Sequence, residues 1–591
     1  MTDKTERQTQ SAPVPTAPTT LERWLPIAVW LPKYDWGKFF LVDLIAALSV
    51  AALLIPESMG YATVAGLPVQ IGLYTAPLAL IGYAMFGGSK ILVYGAVGSV
   101  AAVTAGLLSY VGGGDQSTAV AAAAALALMG GIVFVLLGLL RLGWITNFMS
   151  HTIMDGFVFG MALQIIVGQL GKLTGFKMDD GNTVAKFWQW ITNIGSWNMN
   201  AAIIGFLALI LIFAIQRFMP KLPAALTAVI LASVYVAMVS PNIDLVAKVP
   251  SGLPSIGLPS GLAGLGLADW GKLILGGSVV ALVSFSEGWG ASAKVSRETH
   301  DQLNSNQEFI AYGAGNIGAG LLGGMGAAGS LSKSSAALTA GAKTQMANII
   351  MAGFVLLTLA FLSPLFQWLP EAVLGAVVIN AMWDSANPEK LISKWKFDRI
   401  IGIGSIITAV IVLTVGLLPA MIIGIVGSIL YLIYRISFPG RSELGENPET
   451  KEFVAIAWQY GQRHGKAHPE AKSIPGVIIY RMSAPLIFTN AEAYEQSAKD
   501  LLISAAADKA LPHDLILDCE EIIYTDSTGC AALVSLHDYC KLYGVRVSLA
   551  RVHSGTHALF KAGGVIDVIG EENVYPHIRD AVGAVTASSA R

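Results

Sequence analysis

The chain is 591 residues long, 54% hydrophobic and only 13% charged, with a mean hydropathy of +0.61. Soluble domains carry about 25% charged residues, so this composition excludes a wholly soluble protein and indicates a polytopic membrane protein. A formal net charge of −2 with no basic run gives no sign of a nucleic-acid partner.

Residues 1–20 are polar and rich in Pro and Thr, without a basic-then-apolar leader. Residues 1–38 are expected to form a disordered or amphipathic cytoplasmic N-terminus. Apolar runs of spanning or near-spanning length follow at about 40–62, 68–86, 94–110, 119–140, 149–171, 199–216 and 222–240. A Pro/Gly-rich linker at Val249–Pro254 separates them from a second set at about 272–293, 306–325, 329–342, 346–366, 370–384, 400–416 and 419–437. The pattern is seven plus seven. The runs at 94–110 and 329–342 are too short and glycine-rich for ordinary spans and read as half-helices. The 63 glycines suit close helix packing.

Basic residues orient the bundle. With the N-terminus inside, the inner loops hold Lys90, Arg141, Arg217, Lys221, Lys294, Arg297, the Lys390–Arg399 cluster, Arg435 and Arg441. The outer loops near 63–67 and 111–118 hold no basic residue. The loop near 172–186 is an exception, with Lys172, Lys177 and Lys186. Both termini are expected in the cytoplasm, below an inner or plasma membrane.

The two halves echo each other. Gly95-Ala96-Val97-Gly98-Ser99 in the first half resembles Gly326-Ala327-Ala328-Gly329-Ser330 in the second. Glu57 precedes Ser99 by 42 positions and Glu287 precedes Ser330 by 43. With an odd number of spans per half, the second half, about 272–437, is expected to be an inverted repeat of the first, about 39–240.

Glu57 lies in an apolar run from about Phe39 to Ala65, where a carboxylate costs roughly 2.5–3.5 kcal/mol. Pro56 frees a carbonyl one turn upstream and weakens the helix there. A broken helix with an acid at mid-depth suits an ion or substrate site. The second half repeats the acid at Ser286-Glu287-Gly288. A half-helix start points free N–H groups and about half a positive charge at one place. Two such starts, at Gly95–Ser99 and at Ser330-Leu331-Ser332-Lys333, are expected to hold an anion, with Lys333 adding a full charge. The alternative is glycine-serine packing with Lys333 snorkelling to the interface. Glu57 and Glu287 beside an anion would repel it unless protonated or neutralised by a cation, which suggests coupling to H+ or Na+. They could instead face a water-filled vestibule or pair with a lysine.

From about Ser442 the composition changes. Val477–Met482, Leu515–Cys519 and Val545–Ala550 read as strands, separated by helical patterns at Ala491–Ala507 and Gly529–Tyr543, so residues 441–591 are a linker and a small cytoplasmic α/β domain. Tyr524-Thr525-Asp526-Ser527-Thr528-Gly529 follows a strand and opens a helix. Asp526 or Ser527 can cap that helix, and Ser527 is a candidate regulatory phosphorylation or nucleotide-contact site. Cys519, Cys530 and Cys540 show no pairing pattern and no metal-ligand spacing, and no motif implies a cofactor.

Pro56-Glu57-Ser58-Met59-Gly60-Tyr61-Ala62 is followed by Gly66-Leu67-Pro68 and Gly72-Leu73-Tyr74. Further on stand Met154-Asp155-Gly156-Phe157 and Gly341-Ala342-Lys343-Thr344-Gln345, and the C-terminal domain carries Ala484-Pro485-Leu486-Ile487-Phe488-Thr489-Asn490 and Asp526-Ser527-Thr528-Gly529. In these motifs the chain resembles the sulfate permease (SulP) family, matching in turn its first-helix signature, its fifth-helix motif, the stretch after its tenth helix and its C-terminal STAS domain. The resemblance implies a uracil-transporter-like fold of fourteen segments in core and gate domains, a homodimer in membrane lipid, and an anion between the third- and tenth-helix N-termini. On that pattern Glu57, Gly95, Ala96, Val97, Gly98, Ser99, Glu287, Ser330, Leu331, Ser332 and Lys333 line the site. The family commonly has Gln where this chain has Glu57, and Pro where it has Ala96. The function implied is proton-coupled transport of sulfate, bicarbonate or a dicarboxylate by elevator-like alternating access. A passive anion channel and a membrane-anchored STAS sensor or scaffold are the alternatives; no enzyme chemistry is expected.

Overall fold

A computed structural model describes residues 24–589 apart from 112–115, 145–150, 220–221, 248, 251, 258–266, 390, 393–394, 396–398, 461–467, 469 and 508–511. The N-terminal tail at 1–20 and much of the Lys390–Arg399 cluster lie outside the described residues. Among those described, fourteen helices stand where the fourteen apolar runs predict them. The first seven are α1 (Trp36–Val64), α2 (Val69–Phe86), α3 (Gly98–Val111), α4 (Gln116–Leu139), α5 (His151–Thr174), α6 (Met199–Phe218) and α7 (Ala224–Val239). The second seven are α8 (Leu267–Thr299), α9 (Ser305–Leu321), α10 (Leu331–Thr339), α11 (Met346–Leu357), α12 (Glu371–Trp383), α13 (Arg399–Thr414) and α14 (Leu417–Ser437). Among the described residues, eight helices are long and apolar enough to cross a membrane.

The half-helices are α3, of 14 residues, and α10, of 9. The expected break at Pro56 is absent. α1 runs unbroken through Pro56 for 29 residues, and α8 runs unbroken through Glu287 for 33. Proline removes one backbone donor, and packing outweighs that loss because Leu54 and every residue from Pro56 to Ala62 is buried. The breaks fall instead before α3 and α10. There the chain extends into two three-residue strands, β1 (Val93–Gly95) and β2 (Ala328–Ser330), which pair antiparallel with Val93 opposite Ser330 and Gly95 opposite Ala328.

The helices sort by packing. α1–α4 pack on one another and on α8–α11, most closely α9 on α4 and α2. α5–α7 pack with α12 and α13. Glycines permit the close approaches. A Cβ on Gly131 of α4 would sit 2.8 Å from the Gly313 carbonyl of α9.

The chain divides into two compact units, Met1–Val426 and Gly427–Arg591. The second holds a six-stranded sheet built from β3 (Arg441–Glu446), β4 (Phe453–Tyr460), β5 (Val477–Met482), β6 (Asp514–Asp518), β7 (Arg546–Ala550) and β8 (Val574–Tyr575), in the order β4-β3-β5-β6-β7-β8. β5 to β8 are parallel, and β3 with β4 forms an antiparallel hairpin at one edge. The longer helices are α15 (Ala491–Ala507), α16 (Ser527–Leu542), α17 (Ser554–Ala562) and α18 (Ile578–Ser589). The hairpin was not expected, because Arg441-Ser442-Glu443-Leu444-Gly445-Glu446 has no apolar run to mark it.

All three cysteines are buried in this second unit. Burial pushes the Cys540 thiol up to about 12 and raises Cys519 and Cys530 as well. The reactive species is the thiolate. At pH 8 the folded protein is therefore expected to react with a disulfide reagent at well under one thiol per chain, and at all three after denaturation. Rapid labelling of the native protein would show that this core opens freely.

Candidate functional site

The site forms where β1 and β2 cross. Each strand feeds directly into a short helix, so the paired strands hold the starts of α3 and α10 beside each other. Buried amides fix the strands. Asn316 of α9 donates to the Tyr94 hydroxyl (2.7 Å) and the Ala327 carbonyl (3.0 Å) and accepts from Ala327 N (2.9 Å). Asn348 donates to the Leu92 carbonyl (2.7 Å) and Gln345 to that of Ser89 (2.7 Å). The Ser334 hydroxyl accepts from Val93 N (2.9 Å) and donates to the Ser330 carbonyl (2.6 Å), tying β1 to the first turn of α10. Ser330 caps that turn, accepting from Lys333 N. At α3, a Cβ on Gly98 would sit 2.8 Å from Met382 Cε and 3.3 Å from Tyr61 Cε1. Glycine lets that helix begin against α1 and α12.

Into this frame α1 brings Glu57, α8 brings Glu287 and α10 brings Lys333. Lys333 Nζ lies 2.8 Å from Glu57 Oε2, with the two side chains 1% and 4% exposed. Nζ also donates to the Ala96 carbonyl (3.2 Å) and lies 5.1 Å from the centre of the Tyr61 ring. Tyr61 Oη donates to Glu57 (3.4 Å). Glu287, half-buried, accepts a hydrogen bond from the Ser99 hydroxyl at the start of α3. It forms no ion pair among the described residues.

Glu57, Ala96, Ser99, Glu287, Ser330 and Lys333 therefore stand together. Gly95, Val97 and Gly98 are buried backbone of the same crossing. Leu331 and Ser332 are exposed, and the Ser332 hydroxyl lies 3.2 Å from that of Ser330. Of the roles the sequence left open for Glu57, the structure supplies the lysine pair. Lys333 then carries no surplus charge, and the positive field of the site comes from the two helix starts.

Two carboxylates that the sequence reading passed over support this site. Asp43, 0% exposed, lies on α1 about four turns before Glu57. It accepts from Lys343 N (2.7 Å), Thr344 N (3.3 Å), Thr344 Oγ1 (2.7 Å) and Tyr34 Oη (3.2 Å), holding the turn that follows α10. Its position inside an apolar run was the available signal. Asp43→Ala strands four donors, and hydrogen bonds to a charged group contribute about 1.5–3 kcal/mol each. The purified variant is expected to lose about 3 kcal/mol or more of stability, read from its denaturation midpoint, with Asp43→Asn losing less. An unchanged midpoint would remove Asp43 from the support of α10. Glu308, also 0% exposed, accepts from Tyr83 Oη (3.0 Å), Gly88 N (2.8 Å) and Ser292 Oγ (3.1 Å) beside the stacked rings of Tyr83, Tyr94 and Tyr312.

In the second unit, Asp526 rather than Ser527 caps α16, accepting from Gly529 N (2.8 Å) and from Phe488 N (2.8 Å). Ser527 is left exposed in the first turn.

Fold and site together define a polytopic helical membrane transporter with a C-terminal α/β domain. The chain belongs to the sulfate permease family, whose model matches residues 40–411, and the STAS domain model matches residues 468–581. The family consists of anion transporters, not enzymes. A protein named Probable sulfate transporter MT1781, from Mycobacterium tuberculosis, is 31% identical over 95% of this chain and 98% of its own length. Sulfate transporter 4.1, chloroplastic, of Arabidopsis thaliana is 26% identical over 95% of this chain and 82% of its own. Among solved structures, the murine Slc26a9 anion transporter in its inward-facing state superposes with a TM-score of 0.84 at 22% identity, covering 98% of this chain and 97% of that one. The transmembrane domain of the cyanobacterial bicarbonate transporter BicA gives 0.58 at 20% identity, over 67% of this chain and 98% of its own. These likenesses show that the fold is shared.

Proposed function

We infer that this protein is a secondary active transporter of a small inorganic or carboxylate anion, coupled to protons and working by elevator-like alternating access. The observation that carries the reading is the crossing of β1 and β2. It sets two helix N-termini beside an acid, Glu287, that has a serine partner but forms no ion pair among the described residues. The N-termini suit an anion and the acid suits a proton. Sulfate is favoured by the names of the relatives, and bicarbonate or a dicarboxylate remains within the same chemistry. The two packing groups of helices support an elevator, with α1–α4 and α8–α11 carrying the site as a body past α5–α7, α12 and α13. The antiparallel strand pair and the matched acids support an inverted repeat of 39–240 and 272–437. Both termini then lie in the cytoplasm, below an inner or plasma membrane, and the protein works as a homodimer in lipid. Ser527 is exposed at a helix start, where phosphate is favoured electrostatically, and is the proposed regulatory position.

The test is an uptake panel in proteoliposomes with labelled sulfate, bicarbonate and succinate, with and without a pH gradient and sodium. Uphill accumulation of one anion driven by the pH gradient is the expected result. Downhill flux alone would favour a passive channel, and no flux of any anion would favour a sensor or scaffold.

A further inference from the structure

Two cavities, of about 400 and 410 Å3, lie away from the central site and share Thr63 and Lys172. Neither is lined by Glu57, Ser99, Glu287 or Lys333. The first is bounded by α1, α3, α5, α13 and the short helix Thr183–Thr192. Its walls carry Lys172 and Lys186, the carboxamides of Gln164, Gln169 and Asn182, and no Asp or Glu among the described residues. Lys172 and Lys186 are half-buried, and neither forms an ion pair among the described residues. Glu371, whose field reaches Lys172, lines the neighbouring cavity instead. Gln169 is 4% exposed, and its carboxamide oxygen has no hydrogen-bond partner, nor has that of Gln164. These lysines belong to the one outer loop that departs from the charge rule orienting the bundle.

Two partly desolvated ammonium groups with no carboxylate among the lining residues leave a locally positive space, and such a space is stabilised by a counter-ion. Ala102 and Ala105 of α3 line the same cavity. At 1.5 Å per residue they stand roughly 5–9 Å beyond Ser99 along that helix. We propose that this cavity is a second anion site, holding a small oxyanion at Lys172 and Lys186 on the outer route to the central site. Its occupant's identity rests on the anion-transport reading; its charge does not.

The test uses the full chain carrying Ala105→Cys, reconstituted in liposomes, against the low background of the three buried native thiols. Sulfonate-bearing and trimethylammonium-bearing methanethiosulfonates are applied from outside, each rate being normalised to its rate with a free thiol. The sulfonate reagent is expected to react about tenfold faster or more, because a focused positive field raises anion encounter by about that factor. Sodium sulfate should slow the sulfonate reagent but not the cationic one, whereas gluconate should slow neither. Lys172→Gln with Lys186→Gln should abolish the preference. Thr63→Cys, on the opposite wall, serves if Ala105→Cys does not fold. Equal normalised rates in the parent, or a preference that survives removal of both lysines, would overturn the site. Uptake measured in the same vesicles reports on transport separately, so failure of that reading is distinguishable from failure of this one.

Discussion

Lys333→Met is expected to be the most damaging single change in the site, and Glu57→Gln in the same chain is expected to restore most of what it loses. The two side chains form an ion pair of 2.8 Å with exposures of 1% and 4%. Removing one member of such a pair leaves a buried, uncompensated charge and costs about 3–5 kcal/mol, whereas replacing both with neutral groups of similar volume is often close to neutral. Lys333 also donates to the Ala96 carbonyl, so it ties α10 to the approach of α3. Losing it loosens one helix start against the other. Lys333→Met alone should lower the denaturation midpoint and weaken anion binding by more than tenfold, which corresponds to about 1.4 kcal/mol. The double variant should recover most of the stability and part of the affinity. A double variant no better than the single would mean that Lys333 acts directly on the anion and not through Glu57. Unchanged affinity in Lys333→Met would move it out of the site.

The fourteen helices were legible because each is a local run of apolar residues, and the half-helices because 94–110 and 329–342 are short. The break expected at Pro56 is absent, whereas the two half-helix starts stand where the sequence puts them. Pro56 is a strong local signal, but residues 56–62 are all buried and α1 continues through them. The real breaks, β1 and β2, are three residues each and have no pattern of their own; they form because each supplies the other's hydrogen bonds across 235 positions or so. The Glu57–Lys333 pair and the Asp43 contacts with the Lys343–Thr344 turn, 300 positions apart, are likewise tertiary. Sequence could mark Glu57, Glu287 and Lys333 as costly residues at membrane depth. It could not say which acid the lysine would neutralise, and that assignment decides the chemistry of the site.

Glu287→Gln is expected to bind and exchange the anion but to lose acceleration by a proton gradient. Lys333 contacts Glu57 directly and reaches Glu287 only through its field, so Glu287 is the acid in the cluster without an ion pair among the described residues. An ionised carboxylate about 5 Å from a monovalent anion opposes it by about 3 kcal/mol at an effective dielectric of about 20. A helix N-terminus contributes about 0.3–1 kcal/mol when exposed and up to about 2 when partly buried. One ionised Glu287 therefore outweighs either helix start taken singly, and a proton on it turns a repelling site into a holding one. Proton and anion then favour each other's binding, and by linkage the effect is mutual. Uptake should rise as the pH on the loading side falls. Glutamine imitates the protonated acid permanently, so Glu287→Gln should exchange anion at a rate that no longer varies with pH and should accumulate none uphill. Glu57→Gln should disturb binding, by leaving Lys333 unpaired, while keeping the pH dependence. Ser99→Ala removes the hydroxyl that Glu287 holds and should shift the pH at half-maximal uptake without abolishing coupling. Wild-type pH dependence in Glu287→Gln would exclude it as the coupling acid, and if sodium were also without effect the uniporter or channel reading would replace the coupled one.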